Sequence, residues 1–475
     1  MIHQSAERLL KVLSAYAPKT ELSDWERLKA ILSSNTSSNF GQQHAFDQIR
    51  SIEAYRTAVP IRDYDELYPW IQPSLHGQSG FLTSEPIIAF ERTSGSSGAV
   101  KWIPYTESLR QDFASALSEW LEGLRRHEPS ALEGKAYWAL SPRLKSASST
   151  PRATGIESDG DYFPTEVGQA LLDWLVRPPA ASVENDADHF LEQTLDALLQ
   201  EPTLSFISVW SPTFFLELDN RLRRRGLTDS TWKEIWPRLA LVSCWADAGS
   251  ARWASEVRAR SGVRVEPKGL LSTEGIISIP RGIGRAPCLF RGGHFIEFVC
   301  PEPQKVYCRN ELTIGTVYAI VLTTSGGLYR YRTGDLIEVI GIEEKETIQI
   351  RFIGRSGIFS DLVGEKLDEC FVASVFSEAK VSGFLTVSGE LEYTLWLADT
   401  EAAYRVIGGL RENLYFAQAL NLGQLKPIKT RLLATGWERC YTDRIARLQG
   451  CRVGDVKLPI LLASPLSGDL IECLT

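Results

Sequence analysis

A change of rhythm near residue 294 constrains this chain more than any other feature. Between residues 136 and 300, β-prone runs at 137–140, 205–210, 239–244 and 263–267 alternate with helical patterns at 165–176, 188–200, 212–225 and 250–261. Strands alternating with helices of that length call for an α/β layered domain. From 294 to 353 the pattern becomes mostly short β-prone runs, at 294–299, 316–322, 328–332, 336–340 and 348–353. They predict an antiparallel, barrel-like subdomain. Gly354-Arg355-Ser356-Gly357 reads as a hinge. Beyond it come a helix at 367–379, paired strands near 384–397 and a helix at 400–420, a small α+β unit. The expected fold class is therefore α/β. A large N-terminal domain, residues 1–354, combines α/β layers with the β-barrel-like subdomain. A small, mobile α+β C-terminal domain follows at 355–475.

Bulk properties exclude several classes. With 44% hydrophobic and 23% charged residues, the chain can bury a core without disulfides or metals. A net charge of −8 speaks against a broad nucleic-acid surface. Eight cysteines without a Cys-x-x-Cys pair read as buried free thiols in a reducing compartment, and the six histidines lack zinc-site spacing. Met1–Arg8 does not resemble a signal peptide. The uncharged stretch 312–329 reads as two strands around Ser325-Gly326-Gly327, not as a membrane span. A cytoplasmic protein without nucleic-acid or membrane partners is expected; the oligomeric state leaves no mark on the sequence.

The chemistry gathers in five stretches. The first is Thr93-Ser94-Gly95-Ser96-Ser97-Gly98-Ala99-Val100-Lys101, between an apolar run at 86–90 and a helical pattern from about 107. Glycines let backbone N–H groups converge on an anion, hydroxyls add donors, and lysine adds a mobile charge, which suits a polyphosphate. The spacing is not that of a Walker-type P-loop, and a plain surface turn is the alternative. The second is Lys268-Gly269-Leu270-Leu271-Ser272-Thr273-Glu274-Gly275, where a carboxylate at a strand end could hold Mg²⁺ against a phosphate oxygen or be a solvated turn acid. The third, Tyr329-Arg330-Tyr331-Arg332-Thr333-Gly334-Asp335, offers an aspartate able to accept both hydroxyls of a ribose, or simply a turn residue. The fourth is Gly354-Arg355 with the stretch 361–367. The fifth is Arg452-Val453-Gly454-Asp455-Val456-Lys457-Leu458-Pro459, whose lysine, taken alone, is an ordinary solvated charge.

In order and spacing the five stretches resemble the adenylate-forming superfamily. More closely, the chain resembles the Gretchen Hagen, or auxin-responsive promoter, family of acyl-acid amido synthetases, as a short, bacterial-type member. Ser243-Cys244-Trp245-Ala246-Asp247, Phe295-Ile296-Glu297-Phe298 and Leu422-Gly423-Gln424-Leu425-Lys426-Pro427 share that likeness, which runs from about residue 60 to 463. The resemblance implies ATP and Mg²⁺ as cofactors. It implies that Thr93, Ser94, Gly95, Ser96, Ser97, Gly98 and Lys101 wrap the β- and γ-phosphates. Ser272, Thr273 and Glu274 would meet the α-phosphate and adenine side, with Glu274 on the metal. Asp335 would bind the ribose with help from Arg355, and Lys457 would bridge carboxylate and α-phosphate as the catalytic residue. The substrates implied are a small carboxylic acid and an amine or amino acid acceptor. Two other readings stay open: transfer to a thiol (coenzyme A or a carrier protein) or a hydroxyl, and a catalytically inactive nucleotide-binding protein. The run Arg221, Arg223, Arg224 and Arg225 is either a groove for coenzyme A phosphates or a solvated helix face.

Overall fold

A computed structural model describes residues 2–475 apart from 19–21, 95–99, 139–158, 178–186, 228–229, 283–284, 301–304, 344–346, 356–358, 361, 363–364, 366, 390, 422–424 and 452. The alternating region folds as its periodicity requires. Strands Ala136–Trp138, Phe206–Ser208, Leu241–Cys244 and Arg264–Pro267 form a four-stranded parallel sheet in chain order. Helices Thr165–Trp174, Ala187–Leu199, Pro212–Arg224 and Ala251–Ser261 connect or cover them. The two inner strands are buried at every position, as a parallel sheet covered on both faces requires. Leu204, Phe206, Ile207, Leu241 and Val242 are all buried.

The short-strand region forms a seven-stranded sheet whose pairings are all antiparallel. It differs from expectation in one respect. Two short strands were expected on either side of Gly334, yet Tyr331–Glu343 is one continuous 13-residue strand. A register shift against strand Val317–Thr323 absorbs the irregularity, and Gly334 takes a positive φ of 84°, which a side chain would resist. Asp335 is thereby carried within a strand, paired in register with Arg355.

The phosphate-type loop also sits differently from expectation. Instead of leading straight into a helix, it is flanked by two strands that pair with each other. Strand Ala89–Ser94 pairs antiparallel with Val100–Tyr105, from Ala89↔Tyr105 to Ser94↔Val100. The run Val100-Lys101-Trp102-Ile103 is β-prone enough to fold back before helix Glu107–His127 begins. Thr106 caps that helix, its Oγ1 accepting from the Leu109 N–H at 3.2 Å.

After Gly354, strands Gly383–Gly389 and Glu392–Leu397 pair as expected and are flanked by two parallel partners, Lys429–Leu432 and Leu461–Leu462. The helix expected over 400–420 is broken into Ala403–Leu410 and Leu414–Asn421. One expectation about cysteines is corrected. Cys440 and Cys473 form a disulfide with Cα atoms 5.9 Å apart, joining helix Trp437–Gln449 to helix Gly468–Leu474. Two cysteines 33 residues apart meet because these helices pack together, which their spacing in sequence does not announce. Cys244, Cys288, Cys300, Cys308, Cys370 and Cys451 are free.

A buried ionic knot holds the N-terminal helices to the central sheet. Glu297, fully buried on strand Phe295–Cys300, accepts from Arg330 Nε at 2.8 Å, Arg330 Nη2 at 3.2 Å and Arg56 Nε at 2.8 Å. Arg330 Nη1 also donates to the carbonyls of Arg56 and Val59. Arg330 is 4% exposed and has φ 49°, an unusual backbone setting for a side-chain-bearing residue. Removing one partner of a buried pair leaves a charge without compensation, at a cost of about 3–5 kcal/mol. Glu297→Ala should therefore lower the urea unfolding midpoint by an amount equivalent to that loss. An unchanged midpoint would show that the knot contributes nothing.

Candidate active site

The carboxyl ends of the parallel strands open onto the largest cavity described, about 1250 Å³. Ligands of open α/β sheets bind at such strand ends. Trp138 and Ser208 end their strands, Trp210 and Trp245 lie just beyond two of them, and Lys268 follows the last. Helix Glu107–His127 supplies one wall with Phe113, Leu117 and Trp120. The roof comes from the C-terminal part, through helix Trp437–Gln449 and the stretch 456–467.

Ser272, Thr273, Glu274, Asp335 and Lys457, which lie up to 185 positions apart in sequence, all line this cavity. Thr273 and Glu274 form the turn of a small hairpin whose strands pair Leu271↔Ile276 and Ser272↔Gly275. Glu274 is 4% exposed, and the Thr273 hydroxyl donates to its Oε2 at 3.0 Å. Asp335 is 2% exposed, and its backbone N–H donates to Thr333 Oγ1 at 3.0 Å. Lys457 is exposed; its Nζ stands 5.7 Å from the Trp245 ring centroid and 5.3 Å from that of Phe352. Nearby, Asp247 accepts from the Phe352 N–H at 3.3 Å, and burial raises its carboxyl above the ordinary range.

The remaining expected residues are placed less completely. Gly95, Ser96, Ser97 and Gly98 lie outside the described residues. Thr93, Ser94 and Arg355 have described backbone in strands, but their side chains lie outside what is described. Lys101 does not line the cavity; its Nζ donates to Tyr331 Oη at 3.3 Å and stands 5.6 Å from the Tyr64 ring centroid. The hairpin carrying that loop is nonetheless fastened to the site. The Tyr105 hydroxyl donates to the Thr273 carbonyl at 2.6 Å.

Two charge contacts join the C-terminal part to the body of the molecule. Arg439 Nη1 of the C-terminal part pairs with Glu217 at 2.9 Å, and Arg252 lies 3.9 Å from Glu438. The arginine run is occupied structurally. Arg221 pairs with Glu192 and Glu217, Arg223 with Asp219, and Arg225 with Glu192 and Asp196. These partners neutralise the charge a coenzyme A groove would use.

The GH3 family N-terminal domain matches residues 19–225, and the GH3 family central domain matches residues 288–355. Together they span more than half of the chain. The chain belongs to the GH3 family. Among curated relatives, the putative indole-3-acetic acid-amido synthetase GH3.10 of Oryza sativa subsp. japonica is 24% identical over 415 residues, covering 77% of this chain and 85% of the relative. The indole-3-acetic acid-amido synthetase GH3.17 of Arabidopsis thaliana is 36% identical over 91 residues, a match spanning 19% of this chain and only 15% of that relative's length. Among solved structures, the GH3.15 acyl acid amido synthetase shares the fold with a TM-score of 0.75 at 17% identity, covering 98% of this chain and 95% of the other. This likeness covers the C-terminal part as well, which the two domain matches leave out. No helix among the described residues is long and apolar enough to cross a membrane.

Sequence reasoning missed the tryptophans at the strand ends, Lys268 as a cavity residue, and His294. The tryptophans were legible in principle, since Trp138, Trp210 and Trp245 each fall at or just beyond the end of a β-prone run. His294 lies beneath the Glu274 turn. A Cβ on Gly275 would come within 2.9 Å of its Nε2, which explains the glycine. His294 is fully buried, neither ring nitrogen makes a hydrogen bond among the described residues although Asp112 Oδ2 lies 3.7 Å from Nδ1, and burial lowers its pKa to about 3. The unfolded chain protonates this imidazole near 6.5, whereas the fold keeps it neutral. Between those values the unfolded state binds more protons, so stability should fall as pH drops below 6.5. His294→Gln removes that dependence. From about pH 7 to about pH 5 the wild type should lose about 2 kcal/mol more than the variant in urea unfolding. Parallel losses would mean that the imidazole is protonated in the fold.

Proposed function

We propose that this GH3 chain is an ATP-dependent ligase, an acyl-acid amido synthetase. It activates a small carboxylic acid as acyl-AMP and transfers the acyl group to an amine, in the first instance an amino acid. The observation that carries the reading is the convergence of Ser272, Thr273, Glu274, Asp335 and Lys457 on one cavity at the carboxyl ends of the parallel strands. The activities named for its relatives support it. The rice relative is named a putative indole-3-acetic acid-amido synthetase, and an Arabidopsis relative 21% identical over 448 residues is named a 4-substituted benzoates-glutamate ligase.

The chemistry follows from the poor electrophilicity of a carboxylate. A carboxylate oxygen attacks the α-phosphorus of ATP, a C–O–P bond forms, and the bond from the α-phosphorus to the bridging oxygen breaks, releasing pyrophosphate. The amine nitrogen then attacks the acyl carbon, the bond to AMP breaks, and the amine loses a proton. Negative charge on phosphate oxygens grows in the first step, so fixed positive charge and aligned donors are what the protein supplies. In this reading Lys457 meets the carboxylate and α-phosphate, and Asp335 accepts the ribose hydroxyls with Arg355 beside it. The loop 93–101, Lys101 included, holds the outer phosphates.

Mg²⁺ fits the donor set. No group of three or more metal-ligating side chains occurs among the described residues, but Mg²⁺ bound with a nucleotide takes one or two carboxylates, with phosphates completing its shell. Buried Glu274 would be that carboxylate, and the ion would supply charge neutralisation at the phosphates. The segment after Gly354 would turn as a body between an adenylating and a transferring arrangement. A cytoplasmic location is part of the same proposal, since ATP is its substrate.

Pyrophosphate release from ATP across a panel of carboxylic acids, with amino acids, coenzyme A or neither, tests the reading. Acid-dependent release with an amide product only when an amino acid is present is the expected result. A thioester instead would reassign the acceptor, and no acid-dependent release would refute adenylation. Lys457→Ala should slow acyl-AMP formation by about a hundredfold to a thousandfold while largely sparing transfer from a chemically prepared acyl-AMP. Equal losses in the two half-reactions would remove this lysine from the proposed role.

A further inference from the structure

Lys268 occupies an unusual place for an ammonium group. It is 4% exposed, and its Nζ lies 4.5 Å from the Trp210 ring centroid, 5.4 Å from that of Trp120 and 5.8 Å from that of Trp138. One N–H donates to Ser208 Oγ at 2.5 Å. Tryptophan faces stabilise a cation, most of all where water is excluded, so the charge can persist at this depth. Two residues earlier on the same strand face, Glu266 is 2% exposed and accepts from Trp120 Nε1 at 3.0 Å. Burial nevertheless pushes its carboxyl up to about 7. Beside this group, Trp138 Nε1 is shielded from solvent and donates to nothing among the described residues. A buried donor without an acceptor costs about 1–3 kcal/mol, and this one sits in a cavity wall.

The lysine and the indole both line the proposed acyl pocket. Lys457 stands against Trp245 and Lys268 against Trp210, and these two indoles are 6.2 Å apart. An acid lying along this pair, with its reacting carboxylate toward Lys457, would present its far end to Lys268 and Trp138. We propose that Lys268 is a specificity-determining residue that, with the Trp138 N–H, receives a second oxygen acceptor on the acyl acid, remote from the carboxylate that is activated. The substrate class is then a flat, largely apolar acid bearing a distal carboxylate or hydroxyl. This rests on the reading of the cavity as an acyl-acid site. Hydrogen-bonding sites of this kind discriminate strongly, because an analogue lacking the acceptor leaves the donors unpaired.

The test is a calorimetric titration of the full chain with hydrocinnamate, para-hydroxyhydrocinnamate and para-carboxyhydrocinnamate, each as the free acid anion. The wild type should bind at least one para-substituted acid about ten- to a hundredfold more tightly than hydrocinnamate, the usual value of a charge-assisted hydrogen bond. In Lys268→Met that ratio should fall to near one. If circular dichroism shows that the methionine variant does not fold, Lys268→Gln and Trp138→Phe carry the test; each should reduce the ratio severalfold. A wild-type ratio near one, a ratio unchanged in the variants, or no binding of any of the three acids would overturn the proposal. Because binding is read without turnover, failure of adenylation leaves this result standing. Pyrophosphate release without distal selectivity would sink the inference alone.

Discussion

The contact on which most of the architecture depends is the buried pairing of Glu297 with Arg330 and Arg56. It joins three parts of the chain that are remote in sequence. Glu297 belongs to the antiparallel sheet, Arg56 to the helices of the first eighty residues, and Arg330 to the turn that feeds the strand bearing Asp335. Backbone bonds across Arg62, Arg330 and Arg332 continue the same junction, at 3.0 and 2.8 Å. A helical layer thus grips the backbone five residues upstream of the proposed ribose carboxylate. Buried charges are poor sources of net stability but strict about geometry when fully hydrogen-bonded, and position is what a nucleotide site requires.

The rest of the site is assembled by strand ends. The parallel sheet delivers Trp138, Ser208, Trp210, Trp245 and Lys268 to one rim. The antiparallel sheet delivers Asp335 and Phe352, and a small hairpin delivers Glu274. Tyr105 then ties the hairpin strands Ala89–Ser94 and Val100–Tyr105 to that turn through the Thr273 carbonyl. Each of these side chains thereby sits in, or within a few residues of, a hydrogen-bonded ladder. Membership in the GH3 family accounts for the order of these elements, and the packing accounts for why they meet.

Local periodicity carried the broad fold well. The helix and strand boundaries between residues 136 and 267 follow the apolar pattern within a few positions, because that sheet is buried on both sides and its signal is strong. Three features were harder. The hairpin at 89–105 was read as strand, loop and helix, since pairing partners six to sixteen residues apart leave no trace in a window of single-chain propensity. Gly334 looked like the end of a strand, yet neighbouring strands carry the chain straight through it. Arg330 looked like part of a nucleotide motif, whereas its side chain is spent on Glu297. Of the site itself, the carboxylates and the late lysine were visible as motifs. The tryptophan-walled end of the cavity was not, because no local pattern distinguishes an indole facing a cavity from one facing a core.

The seam between the C-terminal part and the body of the molecule has its own character. Its named polar links are Arg439 to Glu217 and the looser approach of Arg252 to Glu438, both on partly exposed side chains. Such pairs contribute at most about 1 kcal/mol each and exchange readily for water. The two parts are therefore clasped more than welded: separation trades one set of hydrated charges for another, and dissolved ions compete for the same partners. If the C-terminal part turns as proposed, parting it from the body would break no fully buried ion pair among those named, and the salt content of the surroundings would shift the balance between joined and parted forms.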